Sequence, residues 1–178
     1  SYKDWVGPVY PPGTSSKDYL KVYMQSFNFT ELNFSYYRQP SPQTIERLAH
    51  IADDRFRFAI KAHKSMTHEI GNDFKKECTA FKQGIAPLIE TAKLAAVIAQ
   101  FPFGYHYNPS NRKHLQELCD QFSGIPLAIE FRNSQWARDS VYDGLAQRGV
   151  TFVNVDEPAL TGLLKASARL TSHIAYVR

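Results

Sequence analysis

Six apolar runs bounded by turn residues recur along the chain, most of them separated by a helix-length stretch. They fall at 27–38 (FNFTELNFSYYR), 56–62 (FRFAIKA), 95–101 (AAVIAQF), 126–132 (PLAIEFR), 151–156 (TFVNVD) and 174–178 (IAYVR). Their β-branched and aromatic content is that of strands. The stretches between them have legible helix ends. Ser41-Pro42 and Asn108-Pro109 each set a capping side chain before a proline at the first helical position. Ser15 or Ser16 is placed to cap a helix running through Met24. Residues 72–92 and 138–148 complete the set, the last with Gly149 as its stop. Alternation of strand and helix predicts a parallel sheet covered by helices.

Successive side chains on a strand point to opposite faces, so the polar residues within these runs can be sorted by parity. Glu31 and Asn33 share a face with Phe27 and Phe29. Lys61 stands with Arg57 and Ala59, Gln100 with Ala96 and Ile98, and Glu130 and Arg132 with Ala128. Asn154 falls with Asp156, and Tyr176 with Arg178. An accidental strand edge would not repeat this six times. A barrel whose lumen turns polar at its C-terminal mouth would, and that mouth is where parallel β/α folds place their sites. An eight-stranded barrel takes ~250 residues, against 178 here. The chain also opens on the loop-like SYKDWVGPVYPPGT and stops on a strand. The expectation is one TIM-barrel domain over residues 1–178, a (β/α)8 barrel incomplete at both ends. A first strand is expected ahead of Ser1, and a helix, a strand and a final helix after Arg178.

The composition, 43% hydrophobic and 21% charged, suits a protein with a buried core. No apolar run approaches the ~20 residues of a membrane helix, and nothing resembles a signal segment. The expectation is a cytoplasmic protein without a membrane partner. Cys78 and Cys119 lie far apart without metal-ligand spacing and read as reduced thiols. The net charge of +4 mildly favours an anionic partner, but no Lys/Arg block singles out nucleic acid.

Seven ordered blocks then carry a family likeness: SYKDWVGPVYPPG, FNFTELNFSYYRQP, FRFAIKAHKSMTH, IAQFP, AIEFRNSQW, VNVDEP and AYVR. In this order they resemble the YecE-like family, known as domain of unknown function 72. The resemblance implies a (β/α)8 barrel whose first strand ends in a Gly-Thr-Ser-Gly-like turn just before Ser1. It implies no particular reaction.

Glu130 and Arg132 form the sharpest candidate pair, a carboxylate able to accept a proton beside a planar guanidinium suited to phosphate or carboxylate. Trp136 is expected to shape the wall beside them. The blander reading is a buried ion pair plugging the barrel together with Lys61. Glu31 and Asn33 form a second group, with Tyr36, Tyr37 and Arg38 as stacking surfaces for a sugar or base. Otherwise these tyrosines simply cover the rim. In KAHKSMTH, Lys61 neutralises an anion and His68 is an acid–base candidate, while His63 reads as structural. Gln100, Asp156 and Arg178 come singly from later strands, and Asp156 alternatively caps a following helix. The loop GYHYNP reads as surface. The candidate catalytic residues are therefore Glu31, Glu130 and His68. The candidate substrate-binding residues are Asn33, Tyr37, Lys61, Gln100, Arg132, Trp136, Asp156 and Arg178.

Glu31, His68, Glu130 and Asp156 offer donors for a divalent metal, yet no short ligand motif such as HExxH is present. Glycine-rich phosphate loops and a Gly-x-Ser-x-Gly elbow are absent too. No cofactor is predicted. Three functions compete. The first is an enzyme, a hydrolase, acting on a small anionic or phosphorylated ligand or on a nucleic acid. The second is a glycosidase-like pairing of Glu31 with Glu130, and the third a non-catalytic nucleic-acid-binding module. Oligomeric state is not legible in the sequence.

Overall fold

A computed structural model describes residues 3–158 and 160–178. Its six strands are β1 (Phe29–Leu32), β2 (Arg57–Lys61), β3 (Leu94–Phe101), β4 (Leu127–Phe131), β5 (Thr151–Asn154) and β6 (Tyr176–Val177). They pair in chain order, and every pair is parallel. Helix α1 (Tyr19–Tyr23) precedes β1. Helices α2 (Pro42–Ile51), α3 (Phe74–Glu90), α4 (Pro109–Gln121) and α5 (Asp139–Gln147) fill the first four crossovers. The fifth crossover holds no helix among the described residues, so Asp156 caps none.

The edge strands β1 and β6 share no ladder, yet the Phe29 and Tyr176 rings stand 6.1 Å apart. The sheet therefore curls until its edges face each other across an open side. This is a half-barrel, the form an incomplete (β/α)8 barrel takes.

Local chemistry explains the element ends. Ser41 accepts the Thr44 N–H and Asn108 the Asn111 N–H, each directly ahead of Pro42 or Pro109. Past α5, Gly149 adopts a positive φ of 64°, which stops the helix cheaply only for glycine. Helix α1 is shorter than its sequence suggests. It begins after Asp18, which makes no side-chain cap, and Ser15 is spent in a turn that its carbonyl closes with the Asp18 N–H.

Packing sets the layers. Helices α2 and α3 pack closely, and the residue that allows it is Gly84, where a Cβ would come 2.2 Å from the Pro40 carbonyl oxygen. Buried Lys93 donates to the Ala49 and Ala52 carbonyls at 2.8 and 2.7 Å, placing a cation on the C-terminal end of α2. On the helix-covered side, Phe131 stacks on Phe101 and on Trp136, and Tyr105 stacks on Trp136. Both cysteines are free and buried, and burial pushes Cys78 up to about 12 and Cys119 to about 11, which keeps them as thiols.

Candidate functional site

Parallel pairing brings the C-terminal ends of the strands to one rim, and a shared register keeps matched side chains on one face. Glu31 aligns with Ala59, Lys61 with Ile98, and Gln100 with Glu130. Glu31, Lys61, Gln100 and Glu130 therefore stand on the same concave side.

There Glu31 and Glu130 join Arg178, Arg132 and Glu157 in an alternating ladder of charge. Arg178 donates from Nη2 to Glu31 Oε1 at 3.0 Å and from Nη1 to Glu130 Oε2 at 2.6 Å. Arg132 Nη2 lies 2.8 Å from Glu130 Oε1, and its Nη1 pairs with Glu157. The Tyr176 hydroxyl donates to Glu31 Oε2 at 3.0 Å. Glu130 is 0% exposed. The Arg132 contact to its Oε1 is close but misaligned for a hydrogen bond, so that oxygen is buried with an ion-pair neighbour and no hydrogen-bond donor.

Lys61 stands beside the ladder. Its Nζ donates to Gln100 Oε1 at 2.9 Å and lies 4.8 Å from the centre of the Tyr36 ring. Ser35, fully buried, ties the ends of β1 and β2 together by donating to the Lys61 carbonyl at 2.6 Å.

The electrostatics follow from this arrangement. Burial opposes the Arg178 cation, but its hydrogen bond to Glu130 and the charges of Glu130 and Glu31 raise its pKa overall. Burial and the Glu31 carboxylate push the Tyr176 phenol up, keeping it a neutral donor. Burial and the nearby Arg178 charge lower Lys61, a shift only partly offset by Glu130 and Glu31. Burial and Lys61 lower His68, whose Nδ1 meets Thr67 Oγ1 at 2.8 Å and whose ring stands edge-on to Tyr36 at 5.1 Å.

Several expected site residues lie elsewhere. Ile129 aligns with Phe152 and Val153 with Tyr176. On β5 it is thus Val153, not Asn154, that shares the ladder's face. Asn154 instead clasps the segment before β6, accepting from the Arg169 N–H and Ser167 Oγ and donating to the Arg169 carbonyl. Asp156 keeps the parity of Asn154 and is exposed. Glu157, one residue on, reaches Arg132 in its place. Trp136 lies behind the sheet, stacked on Phe131 and donating to the Tyr105 carbonyl at 2.6 Å. The cause is again parity, since Phe131 and Glu130 point to opposite faces.

Tyr37 is 75% exposed, with only its edge on Tyr36. Asn33 is exposed ahead of the turn Phe34–Tyr36 and, with Glu31, lines a cavity of about 550 Å³ beside Trp5 and Tyr10. His63 accepts the Ser65 N–H and lies 3.8 Å from Glu77, a local turn-holding role. No three His, Cys, Asp or Glu side chains converge as metal donors among the described residues. Glu157 and Tyr176 are the ladder members not chosen from sequence. Parity already displayed Tyr176, whereas Glu157 required the register of β5.

Fold and rim together define a class: a parallel β/α half-barrel with an ion-paired C-terminal mouth. The chain belongs to the family described as protein of unknown function DUF72, whose model matches residues 1–178. It is 34% identical over 140 residues to the UPF0759 protein YunF of Bacillus subtilis, covering 76% of this chain and 50% of that protein. The chain thus spans half the length of that curated relative. The crystal structure of a DUF72 family protein from Thermotoga maritima matches with a TM-score of 0.89 and 37% identity, over 100% of this chain and 70% of that one. One from Enterococcus faecalis matches at 0.81 and 25% identity, over 89% and 67%. No helix among the described residues is long and apolar enough to cross a membrane.

Proposed function

We propose that the mouth binds a small phosphate-bearing anion anchored by Lys61. The observation that carries this reading is an imbalance among the cations. Arg132 and Arg178 each engage two carboxylates. Lys61, among the described residues, has an amide and an aromatic face as its neighbours and no carboxylate within 4.0 Å. Burial, then the Arg178 charge, lower its pKa, and an arriving phosphate would supply the negative charge that favours the ammonium. Glu130, 0% exposed and gripped by two guanidiniums, positions them rather than meeting the ligand. His68, held toward its neutral form, is the acid–base candidate. Turnover at this site would be hydrolysis.

A glycosidase-like use of Glu31 and Glu130 fits less well. Retaining enzymes leave ~5–5.5 Å between carboxylates for the sugar's reacting carbon, and here the Arg178 guanidinium occupies the space between the two. The test is calorimetric titration of the chain and of Lys61→Met with inorganic phosphate, 2-phosphoglycolate and a single-stranded oligonucleotide. Phosphate affinity should fall at least about tenfold in the variant. Phosphate binding indifferent to Lys61 would overturn the reading, and tight binding of the oligonucleotide alone would favour the nucleic-acid module.

A further inference from the structure

Glu157 ends the charge ladder, and its fit there is poor. Its side chain is only 9% exposed. One oxygen meets Arg132 Nη1 while the other, Oε1, is buried with no hydrogen-bond partner. Arg132 offers Glu157 Nη1 alone, because Nη2 is held by Glu130, and a buried acceptor left unpaired is costly. Glu157 cannot approach freely, because the backbone beside it is fixed: the Asp156 N–H donates to the Arg178 carbonyl at 2.7 Å. Arg132 itself is 34% exposed, so solvent reaches part of its side chain while Glu130 and Glu157 hold its two terminal nitrogens.

We infer that Arg132 is a second anion subsite, which the Glu157 carboxylate occupies as a built-in stand-in until a ligand carboxylate displaces it. This rests on the reading of Lys61 as the phosphate anchor. The two subsites flank one short row of side chains: Lys61 bonds Gln100, Gln100 is in register with Glu130, and Glu130 pairs with Arg132. A ligand spanning that row carries a phosphate at one end and a carboxylate at the other. The substrate class is therefore a small phosphorylated carboxylic acid, and Glu157 sets its affinity by competing for Arg132.

Three proteins test this by calorimetry against 2-phosphoglycolate and inorganic phosphate: the unaltered chain, Glu157→Gln and Lys61→Met. Glu157→Gln leaves Arg132 paired with Glu130, so no guanidinium is stranded. It should bind 2-phosphoglycolate about tenfold tighter with phosphate affinity unchanged. Equal 2-phosphoglycolate affinity in Glu157→Gln and the unaltered chain overturns the inference, while loss of phosphate binding in Lys61→Met leaves the anchor standing. A gain in Glu157→Gln with phosphate binding indifferent to Lys61 overturns the anchor and the phosphorylated-acid substrate class with it, and leaves Arg132 as an anion subsite. If thermal melting shows that Glu157→Gln does not fold, Glu157→Asp withdraws the carboxylate by one methylene and should shift affinity in the same direction. Absence of binding in every protein overturns both readings.

Discussion

Glu130 holds two guanidiniums with one carboxylate, and the cost of neutralising it can be bounded. Breaking a buried ion pair typically costs ~3–5 kcal/mol. Arg178 and Arg132 each keep a second carboxylate, Glu31 and Glu157, and are 30% and 34% exposed. Glu130→Gln should therefore lose about 3 kcal/mol, the low end of that range, measured by denaturant unfolding. A change below about 0.5 kcal/mol would mean the ladder contributes nothing to the fold. His114 yields a pH prediction at the same scale. Burial lowers it from 6.5 to about 4, its Nδ1 meets the Tyr105 hydroxyl at 2.8 Å, and its Nε2 is buried without a partner. Between about 6.5 and about 4 the unfolded chain carries a proton that the native histidine refuses. Stability from this group is thus complete above pH 6.5, declines as the pH falls through the window, and levels off below about 4. His114→Phe should lose that dependence, so its melting temperature gains on the unaltered chain as the pH drops from 7 to 4. Parallel melting curves across that range would count against it.

Among the elements, α3 is the one whose position hangs on a single residue. Gly84 lets it approach the Pro40 carbonyl, and no rotamer relieves a Cβ placed against backbone. Gly84→Ala gains helix propensity of ~1 kcal/mol but meets a contact that only a shift of the helix can remove. The expected net result is destabilisation by about 1–3 kcal/mol, read from chemical denaturation, and a variant as stable as the parent would show that α3 can slide. The segment between β5 and β6 has a different logic. Its described residues form no helix, yet it is fastened by the Leu164 N–H on the Arg132 carbonyl, the Ser134 N–H on the Gly162 carbonyl, and the clasp of Asn154. Those bonds hold Glu157 at the mouth.

The half-barrel as a whole leaves β1 and β6 each with one neighbour in the sheet. Unpaired strand edges are templates for association, and the side chains that meet across the opening, Glu31 with Arg178 and Phe29 with Tyr176, do not supply a ladder. The 178-residue chain by itself should self-associate with rising concentration, monitored by light scattering after size exclusion. A monodisperse monomer with a cooperative melt at high concentration would contradict this.

Periodicity and caps determine local structure, and these were legible in the sequence alone. The six strands, the proline-led starts of α2 and α4, the stop at Gly149 and the inward face of Glu31, Lys61, Gln100, Glu130 and Arg178 all follow from short-range chemistry. The family likeness was legible for the same reason, in ordered blocks of residues. What a strand's own pattern cannot express is its register and direction relative to its neighbours. TFVNVD alternates equally well with either face inward, and only the pairing of Ile129 with Phe152 turned Asn154 and Asp156 away and brought Glu157 to Arg132. Trp136 was misplaced likewise, because the stack that holds it behind the sheet includes Tyr105, 31 residues away in the chain, as well as the nearby Phe131. Such contacts are set by packing in three dimensions, where a neighbour far along the chain outweighs the residues on either side.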